Sequence, residues 1–423
     1  MTVAGEAAPP AAHETGYRWV VLSGIWLVYF SFGLQIAALA PLVGVVSEDL
    51  SLSYARMGAI LSAWPLLYVF ASIPGGALVD RIGTRKALLL ATALMAVSAI
   101  ARPLADDFWS MFLAVAVFGI GGPLLSVTSP KAVAHWFGER ERGLAMGIYF
   151  TGVSIGLLAG LSLTNTVMMP LTGGDWRVVL WIYAAVVIGG GLGWAALSSR
   201  AAFRRTEAWD ATAGRGTVRD QIAGFGYLLR RPAVLLILLM SMGIFFYYDS
   251  TNAWLPEILV AHGFDPADAG VWASAPVFIG IFGALVVPRL ATDRRRALVL
   301  LGLFGCIVTG ALCLMASDPL LVGVAFFLFG VARGGLMTVG LMMLVSCPDV
   351  GRHQLGAAGG LFFTAAELGG VFGPVSFGVL FDATGGFGAA LAVLAGVGVL
   401  LVILLGLHHR VEARRVPVQA AQA

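Results

Sequence analysis

Charge is scarce in this chain. Of 423 residues, 12% are Asp, Glu, Lys or Arg, 59% are hydrophobic, and the mean hydropathy is +0.90. Soluble domains carry about twice that charged share, so water cannot be the solvent for most of the surface. Lysine is almost missing: Lys86 and Lys131 stand alone, and arginine fills every other basic position. Cysteine is limited to Cys306, Cys313 and Cys347, an odd set without paired spacing, which argues against a disulfide framework or a cysteine metal site. The arginines sit in short stretches between apolar runs rather than along one face, so the net charge of +3 does not point to nucleic acid. The first residues lack the basic-then-apolar order of a signal peptide. A nucleotide-binding loop, metal-ligand spacing and a nucleophile with a nearby base are all missing, so neither an enzyme nor a cofactor is expected.

What the chain does contain is long apolar runs. A run of about 20 apolar residues can cross a bilayer core as a helix. Twelve are read at roughly 19–42, 55–78, 86–105, 109–135, 143–167, 177–198, 233–257, 270–290, 296–316, 319–345, 356–381 and 386–408. With the N-terminus inside and the spans alternating, twenty-one of the 26 basic residues fall on the cytoplasmic side. Arg56, Arg102 and Arg177 fall outside, and Lys131 and Arg333 lie within spans. Positive residues are retained in the cytoplasm, so both termini are expected there, in the inner cell membrane. The expected fold class is an all-α membrane protein with twelve transmembrane helices in two six-helix pseudo-repeats. The expected divisions are a tail at 1–17, a first half at 18–199, a central cytoplasmic loop at 200–231, a second half at 232–409 and a tail at 410–423.

The repeat is visible in the letters. Gly147–Gly156 in the fifth span aligns with Gly360–Gly369 in the eleventh, offset by 213. The same offset carries Asp80 onto Asp293, and 211 carries Phe118-Gly119 onto Phe329-Gly330. Between the second and third spans stands Gly76-Ala77-Leu78-Val79-Asp80-Arg81-Ile82-Gly83-Thr84-Arg85-Lys86. Gly83 suits a tight reversal, and Asp80 can accept from Arg81 or Arg85, or cap a helix. This spacing resembles the loop signature of the major facilitator superfamily. Trp136-Phe137 with Glu141-Arg142-Gly143 is similar to that family's loop between helices four and five. Asn252, Trp254-Leu255-Pro256 and Asp268-Ala269-Gly270 resemble, more loosely, the branch of cyanate, nitrate, monocarboxylate and organophosphate carriers. The resemblance implies a rocker-switch secondary transporter with substrate held between the halves. Two marks of the antiport branches are missing: Val115 stands where an arginine would precede Gly119, and Leu157 and Leu161 stand where proline would follow glycine.

Ionisable side chains inside a span cost about 2.5–3.5 kcal/mol at the centre and are functional candidates by default. Arg333 lies near the middle of the tenth span, where its fork of donors suits a carboxylate or similar oxyanion; the structural alternative is an ion pair with Glu367. Glu367, in the eleventh span, has Ser154 of the fifth as its repeat mate, and Asp249 sits in the polar run Tyr247–Asn252 of the seventh. These two acids are the candidate proton carriers. Lys131, in the fourth span, is expected to help Arg333 hold substrate unless it reaches to the membrane surface. The family resemblance makes helices one, four, seven and ten cavity-lining, adding Tyr29, Gln35 and Asn252 to the expected substrate site. Gly76, Asp80, Arg81, Gly83, Arg85 and Lys86 form the conformational loop. The expected function is secondary active transport of a small polar solute, most simply an organic anion, coupled to protons, by a monomer in the lipid bilayer. The alternatives are efflux of a drug-like compound or, in another class, a non-transporting sensor on the same fold.

Overall fold

A computed structural model of the chain describes residues 16–200, 225–351 and 354–413. Most of the expected central loop and of both tails therefore lies outside the described residues. The principal helices, in chain order, are α1 (Tyr17–Ala37), α2 (Val43–Asp49), α3 (Tyr54–Leu61), α4 (Ala63–Ala101), α5 (Phe108–Trp136), α6 (Glu139–Leu163) and α7 (Trp176–Ser198). They are followed by α8 (Pro232–Ala261), α9 (Pro266–Leu290), α10 (Arg296–Met315), α11 (Pro319–Val345), α12 (Leu355–Thr384) and α13 (Gly388–Ala413).

Among the described residues, eleven helical stretches are long and apolar enough to cross a membrane. One of them, Tyr54–Leu104, has 51 residues. A straight helix of that length would run on the order of 75 Å, against roughly 30 Å of bilayer core. It does not run straight. Gly83 adopts φ 80° and ψ 168°, outside any helix and open to glycine without strain. The two arms then lie side by side on α5: Gly119 packs against Trp64 from the first arm, and Gly121 against Ala91 from the second. Counted as two arms, the stretch fits the twelve expected crossings. The reversal is tighter than the sequence predicts, because helix continues to either side of one glycine where a loop was expected.

Helices α1 and α4–α7 pack among themselves, as do α8–α13. Their internal contacts repeat. Gly156 of α6 brings its backbone against Phe30 and Leu34 of α1, while Gly369 of α12 does so against Met242 and Phe246 of α8. Gly119 approaches the Trp64 carbonyl, and Gly330 approaches that of Pro276. A side chain at any of these four positions would hold the helices apart, so the glycines that reveal the repeat in the sequence also set its packing.

The two groups meet through α3 and α4 on α12, and α6 on α9. Among the described residues, the hydrogen bonds that join them lie at the end where α3 begins, opposite the Asp80 loop. Four of the helices that begin at that same sealed end have an aspartate N-cap. Asp107 accepts from the Ser110 N–H at 2.8 Å, Asp175 from Arg177 at 2.8 Å, Asp265 from Ala267 at 3.1 Å and Asp318 from Leu320 at 3.0 Å. Each satisfies a backbone donor that the helix itself leaves free.

Candidate functional site

The polar centre of the molecule is built mainly by α8, α11 and α12. Tyr247 and Tyr248 fasten α8 to α11: their hydroxyls donate to the Phe329 carbonyl at 2.6 Å and the Arg333 carbonyl at 2.7 Å. These bonds fix the turn of α11 that carries Arg333. The Arg333 guanidinium lies 5.3 Å from the Tyr248 ring centre, in cation–π range. Its stem runs along Gly280 of α9, where a β-carbon would stand 3.4 Å away. The side chain is half-buried. No hydrogen bond or ion pair to a described residue holds its guanidinium.

Asp249 follows Tyr248 on α8 and is 7% exposed. Its carboxylate packs against Gly370 of α12, where a β-carbon would come within 2.6 Å. Glu367 stands one turn earlier on α12, is 4% exposed, and its Oε2 has no hydrogen-bond partner. Asp249 thus meets the turn of α12 that carries Glu367. The expected alternative of a direct Arg333–Glu367 ion pair is not found among the ion pairs of the described residues.

The opposite wall carries Tyr29 and Tyr149, edge to face with ring centres 4.8 Å apart, and Tyr68 packed on Gly122. Asn252 is half-buried, one turn from Asp249 toward the sealed end. Gln35 sits with a different partner. Its carbonyl accepts from Arg102 Nη1 at 2.8 Å, and its own Oε1 is buried and unpartnered.

Two expected placements are corrected. Lys131 does not stand with Arg333: its Nζ donates to Asp80 Oδ1 at 2.5 Å, with both side chains partly exposed at the membrane edge. A lysine stem is long enough to reach that edge from the inner half of α5, and there it finds the loop carboxylate. That pairing also displaces Arg81 and Arg85 as partners of Asp80. Arg85 instead donates to Ser198 of α7 at 3.3 Å, while Arg81 and Lys86 are exposed. Gly76 has open space around it, with nothing within 4 Å of an added β-carbon. The second correction is Arg102, expected in an outer loop. It is 2% exposed and lies 5.4 Å from the Phe118 ring centre. It holds a carbonyl near the end of α1, where the helix gives way to a short turn at Ala40–Leu42.

Sequence reasoning also missed Tyr54, Glu257 and Asp382, which join the two groups at the sealed end. Glu257 follows directly on the Trp254-Leu255-Pro256 run, and its place in an apolar span could have drawn attention to it.

A multi-pass helical protein, with three ionisable groups set among its helices and two packed groups that meet at one end, has the build of a membrane transporter. A family model described as Major Facilitator Superfamily matches residues 25–374, and the chain belongs to that family. It is a secondary transporter of that superfamily. It is 24% identical to a probable sulfoacetate transporter of Cupriavidus necator, over 92% of this chain and 94% of that one. It is 26% identical to a probable L-galactonate transporter of Escherichia coli, over 85% and 83%. Among solved structures, a nucleoside transporter named NupG shares the fold at TM-score 0.74 and 14% identity, covering 93% of this chain and 99% of that one.

Proposed function

We propose that this protein carries a small organic anion across the inner cell membrane together with protons, as a monomer, with the anion on Arg333. The observation that carries the reading is the state of that guanidinium, which is set on an aromatic face between helices and tied to no carboxylate. Such a group offers two parallel donors to a carboxylate or sulfonate. Sulfoacetate and L-galactonate, named for the two relatives, are small organic anions, and this supports the same class here.

Charge arithmetic supports the coupling. With Asp249 and Glu367 ionised, the cluster carries a net negative charge and repels an anion. With both protonated, Arg333 leaves it positive. Anion and protons therefore favour each other's binding, which is the thermodynamic content of symport. Tyr29, Gln35 and Asn252 supply neutral hydrogen-bonding groups. Lys131 belongs instead to the Asp80 loop, as a partner that holds α4 to α5.

The arginine-rich end, with the Asp80 loop, is assigned to the cytoplasm by the positive-inside rule. This puts both termini inside and makes the described state one sealed to the outside. Efflux of a drug-like compound would call for an apolar site, and three ionisable groups at the centre oppose it. The test is thermal stabilisation of purified protein by carboxylates, sulfonates, amines and lipophilic cations at acidic and neutral pH. Stabilisation by anions, greater at acidic pH, supports the reading; stabilisation by lipophilic cations alone refutes it.

A further inference from the structure

At the sealed end one side chain is seated in a socket. Tyr54 opens α3, on the first group of helices, and its ring lies inside the second. One face stacks on Phe381 of α12, centres 4.0 Å apart and planes 15° from parallel; the other stacks on Trp254 of α8 at 5.5 Å and 16°. Phe387 closes the slot at its edge, 4.6 Å from Phe381 and 5.7 Å from Trp254. The Trp254 indole N–H donates to the Pro374 carbonyl at 3.0 Å, which braces that wall independently of Tyr54.

Two carboxylates hold the inserted residue. The Tyr54 hydroxyl donates to Glu257 Oε1 at 2.5 Å. The Tyr54 and Ala55 backbone N–H groups donate to the two oxygens of Asp382 at 3.1 and 2.8 Å. Those N–H groups are in the first turn of α3, where the helix has no acceptors of its own and its dipole favours a negative charge. An acid on one group of helices thus caps a helix of the other. The remaining bonds across this end are weaker in kind: Ser62 Oγ donates to the Val371 carbonyl at 2.8 Å, and Asn165 Nδ2 to that of Pro266 at 3.1 Å.

We infer that Tyr54, clamped by Glu257 and Asp382, is the outer gate of the transport cycle, and that leaving the socket is the step that admits solute from outside. The inference uses the family's alternating access and the outward placement of the sealed end; it does not depend on substrate identity. All three groups must separate in any state open at this end, because their partners lie on opposite sides of the opening. The bonds involving Glu257 and Asp382 are charge-assisted and stronger than the neutral ones beside them. Their loss shifts the balance toward the outward-open state without touching Arg333.

The test places a single cysteine at Thr251 of α8, on the inner side of the socket, after replacement of Cys306, Cys313 and Cys347. Its labelling by a membrane-impermeant maleimide is then followed in spheroplasts and in inside-out vesicles. Asp382→Asn and Tyr54→Phe should each raise labelling from the outside roughly tenfold, equivalent to about 1.4 kcal/mol in the equilibrium. Tyr54→Ala should raise it further, and labelling from the inside should fall in step. Asp382 is exposed, so its substitution tests the gate even if Tyr54→Ala does not fold. Unchanged outside labelling in Asp382→Asn and Tyr54→Phe overturns the inference. So does a rise confined to inside-out vesicles, which would put the socket on the cytoplasmic face. A carrier that transports no anion yet shows the labelling change would sink the proposed substrate class and leave the gate standing.

Discussion

Replacing Arg333 with glutamine tests the anion site most directly. The change removes a charge but leaves a side chain that still fits beside Gly280 and over Tyr248. If the guanidinium holds the anion, binding loses charge-assisted hydrogen bonds of about 1.5–3 kcal/mol, or roughly 10- to 150-fold in affinity. Arg333→Lys should recover only part, since an ammonium is a point charge without a planar fork. The assay is calorimetric binding of the best anion from the stabilisation screen, run at acidic pH where the cluster is least negative. The competing account makes Arg333 a counter-charge for Asp249. It predicts that Arg333→Gln weakens the fold through an unbalanced buried acid, and that adding Asp249→Asn restores both stability and binding. Wild-type affinity in Arg333→Gln, or in that double variant, refutes the binding role.

Other predictions follow from the same geometry. Asp249→Asn and Glu367→Gln should each abolish uphill accumulation in proteoliposomes while leaving counterflow of labelled solute; accumulation by both variants under a pH gradient would rule these acids out as carriers. Asp80→Asn removes the partner of Lys131 and should slow turnover severalfold with solute affinity unchanged, while Lys131→Gln should do the same; a raised dissociation constant in Lys131→Gln would return that lysine to the substrate site. Gly334→Val puts a side chain where a β-carbon comes within 2.6 Å of the Gly283 and Ala284 backbones, and should cost about 1–3 kcal/mol, read as a lowered melting temperature; an unchanged value would mean that α9 and α11 can separate freely.

Much of the architecture was legible because a bilayer imposes simple rules on sequence. Apolar runs mark crossings, and basic residues mark one side. Glycines that let backbones touch repeat because the packing repeats, as Gly156 and Gly369 show. Partner choice was not legible. Asp80 had two arginines within five residues, yet its partner is Lys131, on α5, because the reversal at Gly83 lays both arms of α4 along that helix. Arg333 and Glu367 read as a natural pair, yet no ion pair joins them among the described residues, and it is Asp249 that α8 brings against α12 at Gly370. The socket around Tyr54 draws on Trp254, Phe381 and Phe387, and no local pattern ties these to a tyrosine two hundred or more residues earlier. Arg102 was misplaced because a charge near a span end reads as loop, whereas here the stem turns inward to hold a carbonyl of α1.

The four aspartates that cap helices at the sealed end have an effect beyond local stability. An uncapped helix start is a positive pole with free N–H groups, able to detain a passing anion. Four such poles around one mouth would form a ring of decoys, each competing with the binding site for the same cargo. With Asp107, Asp175, Asp265 and Asp318 already seated, those poles are answered from within the chain. A solute entering from that side would pass these four helix starts without being held there on its way to Arg333.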